Sequence, residues 1–401
     1  MHVNAIRGRL ALTAVTGTAL LAAGCGGGET AAEESAHKVN VEAAPARVVI
    51  TPAAGTATVR PDEPVVVRAA GGRLDGVVLE SGRRMIEGDL NRDRTEWRSR
   101  WALDPGADIT VRAVARNVDG RRATAVSRFR TTGTPSTVTV SQDGVLEDRR
   151  HDTFGVGLPI ILNFDKPITD RAAVEKSLEV IADKPVEGAW HWFDDGKQVV
   201  YRAKMFWPAH QTIRLVAHLT GVPLGKEGGY GTKDFTRTYR IGKEQISHLD
   251  IKRHHMRVDW DGRTVRTIPI SAGNGETQEY TTTSGIHLNM EKDEDVMMTS
   301  PGRGPGDAGY YHELIHYAVR VSNAGEYLHQ TPGDEDCLGV RNCSHGCIRQ
   351  PASDAIWYYK HSQAGDPVIA TGTDRQVEPD NGWSFYQMPW KKWLKGSVLH
   401  H

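Results

Sequence analysis

The feature that most restricts how this 401-residue chain can fold is a succession of short apolar runs broken by glycine and proline. Pro64-Val-Val-Val-Arg68, Gly76-Val-Val-Leu79, Asp108-Ile-Thr-Val-Arg-Ala-Val114 and Ser127-Arg-Phe-Arg130 are too short for helices and rich in β-branched residues. Half-buried strands of this kind are stable only when two sheets cover each other. Residues 45–134 therefore read as an immunoglobulin-like β-sandwich, with Trp97 and Trp101 in its core. No cysteine pair spans the sheets, so strand pattern alone carries that assignment. Thr131–Ser136 reads as a hinge, and a second β-rich unit occupies 135–243. That unit contains the run His151–Phe164, a short helix within Arg171–Val180 and a strand at Gln211–His218. Trp190, His191, Trp192 and Trp207 are expected in core or interdomain packing.

Strand signals resume at Ser247–Ile251, His255–Trp260 and Thr264–Ile270, and Asp261-Gly262 between the last two predicts a tight hairpin. Ser353–His361 reads as a helix capped by Ser353, and Gly365–Ala370 as a closing strand. The expectation is a mainly β protein. Two sandwiches (45–134 and 135–243) precede a β-rich domain at 244–372 with one short helix, and an aromatic C-terminal subdomain at 373–401 closes the chain.

Formal charges nearly cancel, at −1, so composition gives no reason to expect a nucleic-acid partner. The first residues carry Arg7 and Arg9, then an apolar run from Leu10 to Leu21, then small residues: the pattern of an export signal over 1–24. This run is too short for a lasting membrane span. Leu21-Ala-Ala-Gly-Cys25 resembles a bacterial lipobox, with alanine at 22 where leucine is commoner; the resemblance implies lipid on Cys25. Residues 25–44, rich in Gly, Ala and Glu, read as a flexible tether. The expected location is the outer face of the cytoplasmic membrane, in the cell-wall zone.

Chemistry concentrates between His329 and Arg349. The segment starts on a histidine and reaches Ser344-His345-Gly346-Cys347, so a base and a thiol bracket one loop. A thiol attacks as its thiolate, and a neighbouring imidazole lowers its pKa and holds the ion pair. Gly346 permits a tight turn, and the amides of Gly346 and Cys347 are candidates to face a developing oxyanion. His345 is a second imidazole but sits next to the turn and is expected to point elsewhere. In an exported protein Cys337 and Cys343 are a candidate disulfide inside this loop. A zinc site built from Cys337, Cys343, Cys347 and His345 fits no usual spacing.

A second motif competes with this one. His312-Glu313-Leu-Ile-His316 matches the HExxH of zinc peptidases, which works only on a helix. Glycine-rich sequence precedes it and the alternating Tyr317–Ser322 follows, so a strand is expected, with the two histidines about 13 Å apart.

His329 at the end of Gly325-Glu-Tyr-Leu-His329, followed 18 positions later (347 − 329) by Ser-His-Gly-Cys and then Ile348-Arg349, resembles the YkuD-type L,D-transpeptidase catalytic domain. Thr281-Thr-Thr-Ser-Gly-Ile-His287 resembles the family's Thr-Pro-x-Gly segment, with serine where proline is usual. The two preceding sandwiches resemble those of the actinobacterial lipoprotein branch. The resemblance implies Cys347 as nucleophile, His329 as base, and the Gln330 carbonyl as acceptor of the imidazole proton. It implies a lid over the site up to Gly309, and substrate contacts from Tyr311, Met298, Ala324, Gly325 and Arg349. The implied reaction joins the third residues of two peptidoglycan stem peptides through a cysteine thioester and releases D-alanine. It uses no metal or nucleotide, and carbapenem β-lactams are the implied inhibitors. The rivals are a cysteine carboxypeptidase or endopeptidase of wall peptides, the zinc peptidase, and an inactive wall-binding lipoprotein.

Overall fold

A computed structural model describes residues 43–134, 137–147, 152–193, 196–225, 229–300 and 302–400. The expected export signal, Cys25 and most of the tether lie outside the described residues. Among the described residues no helix is long and apolar enough to cross a membrane.

The first unit is a two-sheet sandwich. Arg47–Thr51, Val66–Ala70, Glu96–Ser99 and Gly88–Leu90 form one sheet, and Arg84–Met85, Arg73–Ser81, Asp108–Arg116 and Arg122–Arg130 the other. Along Asp108–Arg116 every second residue is buried, so Ile109, Val111, Ala113 and Ala115 meet Leu74, Leu79 and Trp97 between the sheets. Trp97 is in the core as expected. Trp101 is only partly buried and stacks on His218 of the second unit, ring centroids 3.8 Å apart, because it follows the last strand of its sheet. The segment expected as a hinge begins firmly tied: Thr131 N–H donates to the Ala107 carbonyl and Thr132 N–H to that of Val59.

The second unit is also a sandwich, with Gly188–Phe193, Gln198–Ala203, Ile160–Phe164 and Val140–Gln142 facing Thr153–Phe154, Phe235–Ile241, Gln211–Ala217 and Leu178–Ala182. The expected helix runs over Arg171–Lys176, and Asp170 caps it by accepting from the Ala173 amide. The C-terminal tail is part of this unit's core: Trp383, Phe385 and Trp393 pack with Trp192 and Phe193. Arg202, 2% exposed, binds the tail from below. Its guanidinium donates to the Met388 carbonyl at 2.7 Å and lies 4.8, 5.1 and 4.6 Å from the ring centroids of Tyr386, Trp390 and Trp393. Burial lowers its pKa to about 10, so it remains cationic, and the three ring faces offset part of its lost hydration. Buried Glu175 fixes the end of the tail, accepting from Ser397 Oγ at 2.6 Å, Val398 N–H at 2.9 Å and Trp192 Nε1 at 2.7 Å.

The third unit is described with its own strand numbers: β1 (Gln245–Asp250), β2 (His255–Trp260), β3 (Arg263–Pro269), β4 (Gly285–Leu288), β5 (Lys292–Thr299), β6 (His312–Arg320), β7 (Tyr327–Gln330), β8 (Ile348–Gln350) and β9 (Pro367–Thr371), with helix α1 (Ala352–His361) between β8 and β9. One sheet has the order β3-β2-β1-β9-β4 and the other β5-β6-β7-β8. Asp261 and Gly262, both at positive φ (46° and 75°), form the β2–β3 turn. Pro351, not Ser353, precedes the first turn of α1, and no side chain caps the helix: Ser353 is already inside it. Leu249, Met256, Val258, Val319, Leu328, Ile348 and Tyr358 close the core between sheets and helix. Backbone hydrogen bonds from Gly155 N–H to Ala364 O and from Gly157 N–H to Gly365 O, each 2.8 Å, join the second sandwich to this unit.

Because fully buried Trp393 ties the tail to the second sandwich, Trp393→Ala should cost about 3–5 kcal/mol in urea unfolding followed by tryptophan fluorescence. An unchanged urea midpoint would show that the tail contributes nothing to that core.

Candidate active site

Strands β7 and β8 run parallel, with Leu328 opposite Ile348 and His329 opposite Arg349. Leu328 and Ile348 enter the core, so strand alternation turns His329, Arg349 and, one residue before β8, Cys347 to the other face. Two strand steps along and one strand across separate the backbones of 329 and 347 by roughly 8 Å, a span that a thiol and an imidazole can share. Both line one cavity of about 330 Å³.

The loop joining these strands is attached to the segment after β3. Asn342 Oδ1 accepts from the Ala272 amide at 3.0 Å while its Nδ2 donates to the Ile251 carbonyl at 3.2 Å. Cys343 N–H donates to Ser271 Oγ at 3.0 Å, and Ser344 N–H to the Ala272 carbonyl at 3.0 Å. Cys337 and Cys343 are joined by a disulfide, which leaves Cys347 as the free cysteine among the described residues.

Ser344 shapes the nucleophile turn: its Oγ donates to the Cys347 carbonyl at 2.6 Å and accepts from Gly346 N–H at 3.1 Å. The Gly346 amide, expected as an oxyanion donor, is therefore engaged within the turn. Among the described residues the Cys347 amide has no hydrogen-bond acceptor, so it is the donor left for an oxyanion. Gly346 has φ +130°, a conformation that glycine alone adopts without strain.

His329, 3% exposed, has its Nδ1 2.6 Å from the Gln330 carbonyl. A carbonyl only accepts, so Nδ1 carries the proton and Nε2 keeps its lone pair. Burial, against the help of that hydrogen bond and with the Arg349 charge adding to it, lowers the imidazole to about 4. Cys347, partly open to the cavity, donates its thiol proton to the Gly325 carbonyl at 3.5 Å and accepts from the Tyr327 backbone N–H. Burial raises the thiol to about 11, more than the Tyr327 hydrogen bond lowers it. Burial thus works toward the neutral form of both groups, against the ion pair that the residue types suggest.

The other expected residues also gather here. Met298, Tyr311, Ala324, Gly325 and Arg349 line the cavity with Cys347. Arg349 is not free for a substrate carboxylate: its guanidinium pairs with Asp334 of the same loop. His345 lines the same cavity and stands between Tyr280 and Tyr311, at centroid distances of 4.6 and 5.2 Å. Arg303, in the segment between β5 and β6, grips Glu279 through two hydrogen bonds of 2.9 and 2.8 Å and closes one side of the cavity. The tail reaches the cavity lining at Ala324, whose amide donates to Asn381 Oδ1 at 2.9 Å.

His312 and His316 lie on strand β6, His312 beside Thr299 and His316 beside Asp295 of β5. Among the described residues no group of three or more His, Cys, Asp or Glu is placed to hold a metal ion. A strand cannot bring these two histidines to one zinc ion, so the HExxH pattern is a coincidence of sequence. The sequence analysis gave no role to Glu326, Thr282, Asp334, Arg303 or Asn381, which matter through partners distant in the chain.

A family model described as the L,D-transpeptidase catalytic domain matches residues 244–369, and one described as a bacterial Ig domain matches 56–223. L,D-transpeptidase 5 of Mycobacterium tuberculosis is 33% identical over 359 residues, an alignment covering 88% of this chain and 77% of the relative. This chain belongs to the L,D-transpeptidase family. L,D-transpeptidase 2 of Mycobacterium tuberculosis is 29% identical over 348 residues, covering 86% and 83% of the two chains. A solved structure of L,D-transpeptidase 3 from Mycobacterium tuberculosis, in complex with a faropenem-derived adduct, is 29% identical, covers 59% of this chain and 98% of that one, and has a TM-score of 0.47. The protein is thus an L,D-transpeptidase, an acyl-transferring enzyme whose catalytic domain follows bacterial Ig-like domains.

In this L,D-transpeptidase burial lowers the imidazole to about 4 and raises the thiol to about 11. Alkylation of Cys347 by iodoacetamide should therefore climb through the alkaline range, with no plateau between pH 6 and 9. A neutral-range plateau, read by mass spectrometry of the alkylated peptide, would restore the ion pair.

Proposed function

We propose that this L,D-transpeptidase cross-links the third residues of two peptidoglycan stem peptides through a thioester on Cys347. The observation that carries this is the tautomer fixed at His329, which leaves Nε2 as a base on the same cavity as a protonated thiol. In the first half-reaction Nε2 takes the thiol proton as sulfur attacks the third-residue carbonyl of the donor. The Cys347 amide faces the oxyanion. Collapse breaks the bond to D-alanine, whose amine leaves with the proton held by His329. In the second, His329 takes a proton from the acceptor amine as nitrogen attacks the thioester. The new amide forms, and the sulfur recovers its proton. A neutral pair suits both halves, since the base is unprotonated when each nucleophile arrives.

Water in place of the acceptor amine gives carboxypeptidase trimming from the same site. Carbapenems are expected inhibitors, because their strained amide acylates a thiol that has a base beside it. The site's setting is the outer face of the cytoplasmic membrane, with lipid on Cys25 and the sandwiches holding the site away from the surface. Arg7, Arg9, the apolar run Leu10–Leu21 and Leu21-Ala-Ala-Gly-Cys25 support that placement.

Incubation with disaccharide-tetrapeptide, followed by mass spectrometry, tests the reaction. The expected product is a dimer lacking one D-alanine, with a transient acyl-enzyme at Cys347. Cys347→Ala should abolish it, and His329→Ala should slow it by about 10²–10⁴-fold. Dimer formation by Cys347→Ala, or trimmed monomer alone from the native enzyme, would refute the assignment. Cys25→Ala should move the protein from the membrane fraction to the soluble fraction and remove labelling by a palmitate analogue; unchanged fractionation would refute the anchor.

A further inference from the structure

Glu326 is 5% exposed, stands between the two residues whose backbone holds the sulfur, and has no part in the proton transfers above. Its carboxylate is bound by a single residue: Oε1 accepts from Thr283 N–H and Oε2 from Thr283 Oγ1, both at 2.7 Å. Among the described residues no cation forms an ion pair with it, although an unpaired buried carboxylate is costly. Its backbone is fixed as well, with its N–H donating to Ser322 Oγ at 3.0 Å and its carbonyl accepting from Val321 N–H at 3.0 Å. The neighbouring Thr282 reaches the nucleophile turn, donating from Oγ1 to the Gly346 carbonyl at 2.7 Å. Thr282 and Thr283 thus connect the strand that carries the base with the turn that carries the thiol. On either side of Glu326, the Gly325 carbonyl and the Tyr327 amide meet Cys347 Sγ.

We propose that Glu326 is the positioning residue of the nucleophile: locked onto Thr283, it sets the Gly325 carbonyl and the Tyr327 amide against Cys347 Sγ and brings its carboxylate to the cavity that the sulfur lines. That charge works against thiolate formation between turnovers, so the thiol is released only when His329 takes its proton with substrate in place. Burial is the largest influence raising the thiol; the Coulombic influence of Glu326 adds to it, and the Arg349 guanidinium on the same cavity works the other way. The partly open thiol of a protein in an oxidising compartment is thereby kept in its less reactive form.

The inference rests on Cys347 being the nucleophile, and its test needs neither donor nor acceptor. Iodoacetamide alkylation rates of the full chain are measured from pH 5 to 11, by mass spectrometry, for native protein, Glu326→Gln and Thr283→Val. Glu326→Gln removes the charge and keeps the shape, so its alkylation midpoint should fall by about one pH unit, making alkylation at pH 7 about tenfold faster. Thr283→Val keeps the charge but frees the carboxylate from its Oγ1 anchor, and should shift the midpoint the same way by a smaller amount. A merely structural Glu326 would lower the melting temperature and leave the midpoint unchanged, which overturns the proposal. If Glu326→Gln fails to fold, an unmoved midpoint in Thr283→Val overturns it equally. A shifted midpoint in protein that forms no cross-link would count against the transpeptidase reaction and leave the role of Glu326 standing.

Discussion

Everything at this site depends on the parallel pairing of β7 with β8. Parallel strands cannot be joined by a tight turn, so the chain must leave β7 after the histidine and return through a long connection before the cysteine. Once Leu328 and Ile348 are paired and buried, alternation leaves His329, Arg349 and Cys347 only one face to occupy. A slip of one residue in either strand would send base and thiol to opposite sides of the sheet. The disulfide, the Asn342 hydrogen bonds and the Arg349–Asp334 pair all act on the connection that has to keep this register.

Electrostatics at the site follow from the same packing. Two groups that in water would exchange a proton easily are both buried, and burial favours the neutral form of each. The Gln330 carbonyl then decides which imidazole nitrogen is basic, and the engaged Gly346 amide leaves oxyanion stabilisation to the amide of the nucleophile itself.

The remaining units hold this arrangement in place. The tail touches the cavity wall through Asn381 and Ala324 and then enters the second sandwich, where Arg202 and Glu175 bind it. A sandwich that would otherwise act only as a spacer becomes continuous with the catalytic unit, because the tail's aromatic residues complete its core.

What the sequence alone determined is whatever depends on local pattern and residue chemistry. The period-two runs announced strands, Asp261-Gly262 announced its hairpin, and the order of His329 and Cys347 with Ser-His-Gly between them announced thiol chemistry. The alternating Tyr317–Ser322 was enough to place His312 and His316 on a strand. Tertiary structure decided what depends on a distant partner. Trp101 left the core for His218, Arg349 was taken by Asp334, and the Gly346 amide was taken by Ser344. Glu326 gained its place from Thr283, 43 positions earlier in the chain. Local spacing encodes which face a side chain occupies, but a pKa and a hydrogen-bond partner are set by burial and by segments that meet only once the chain has folded.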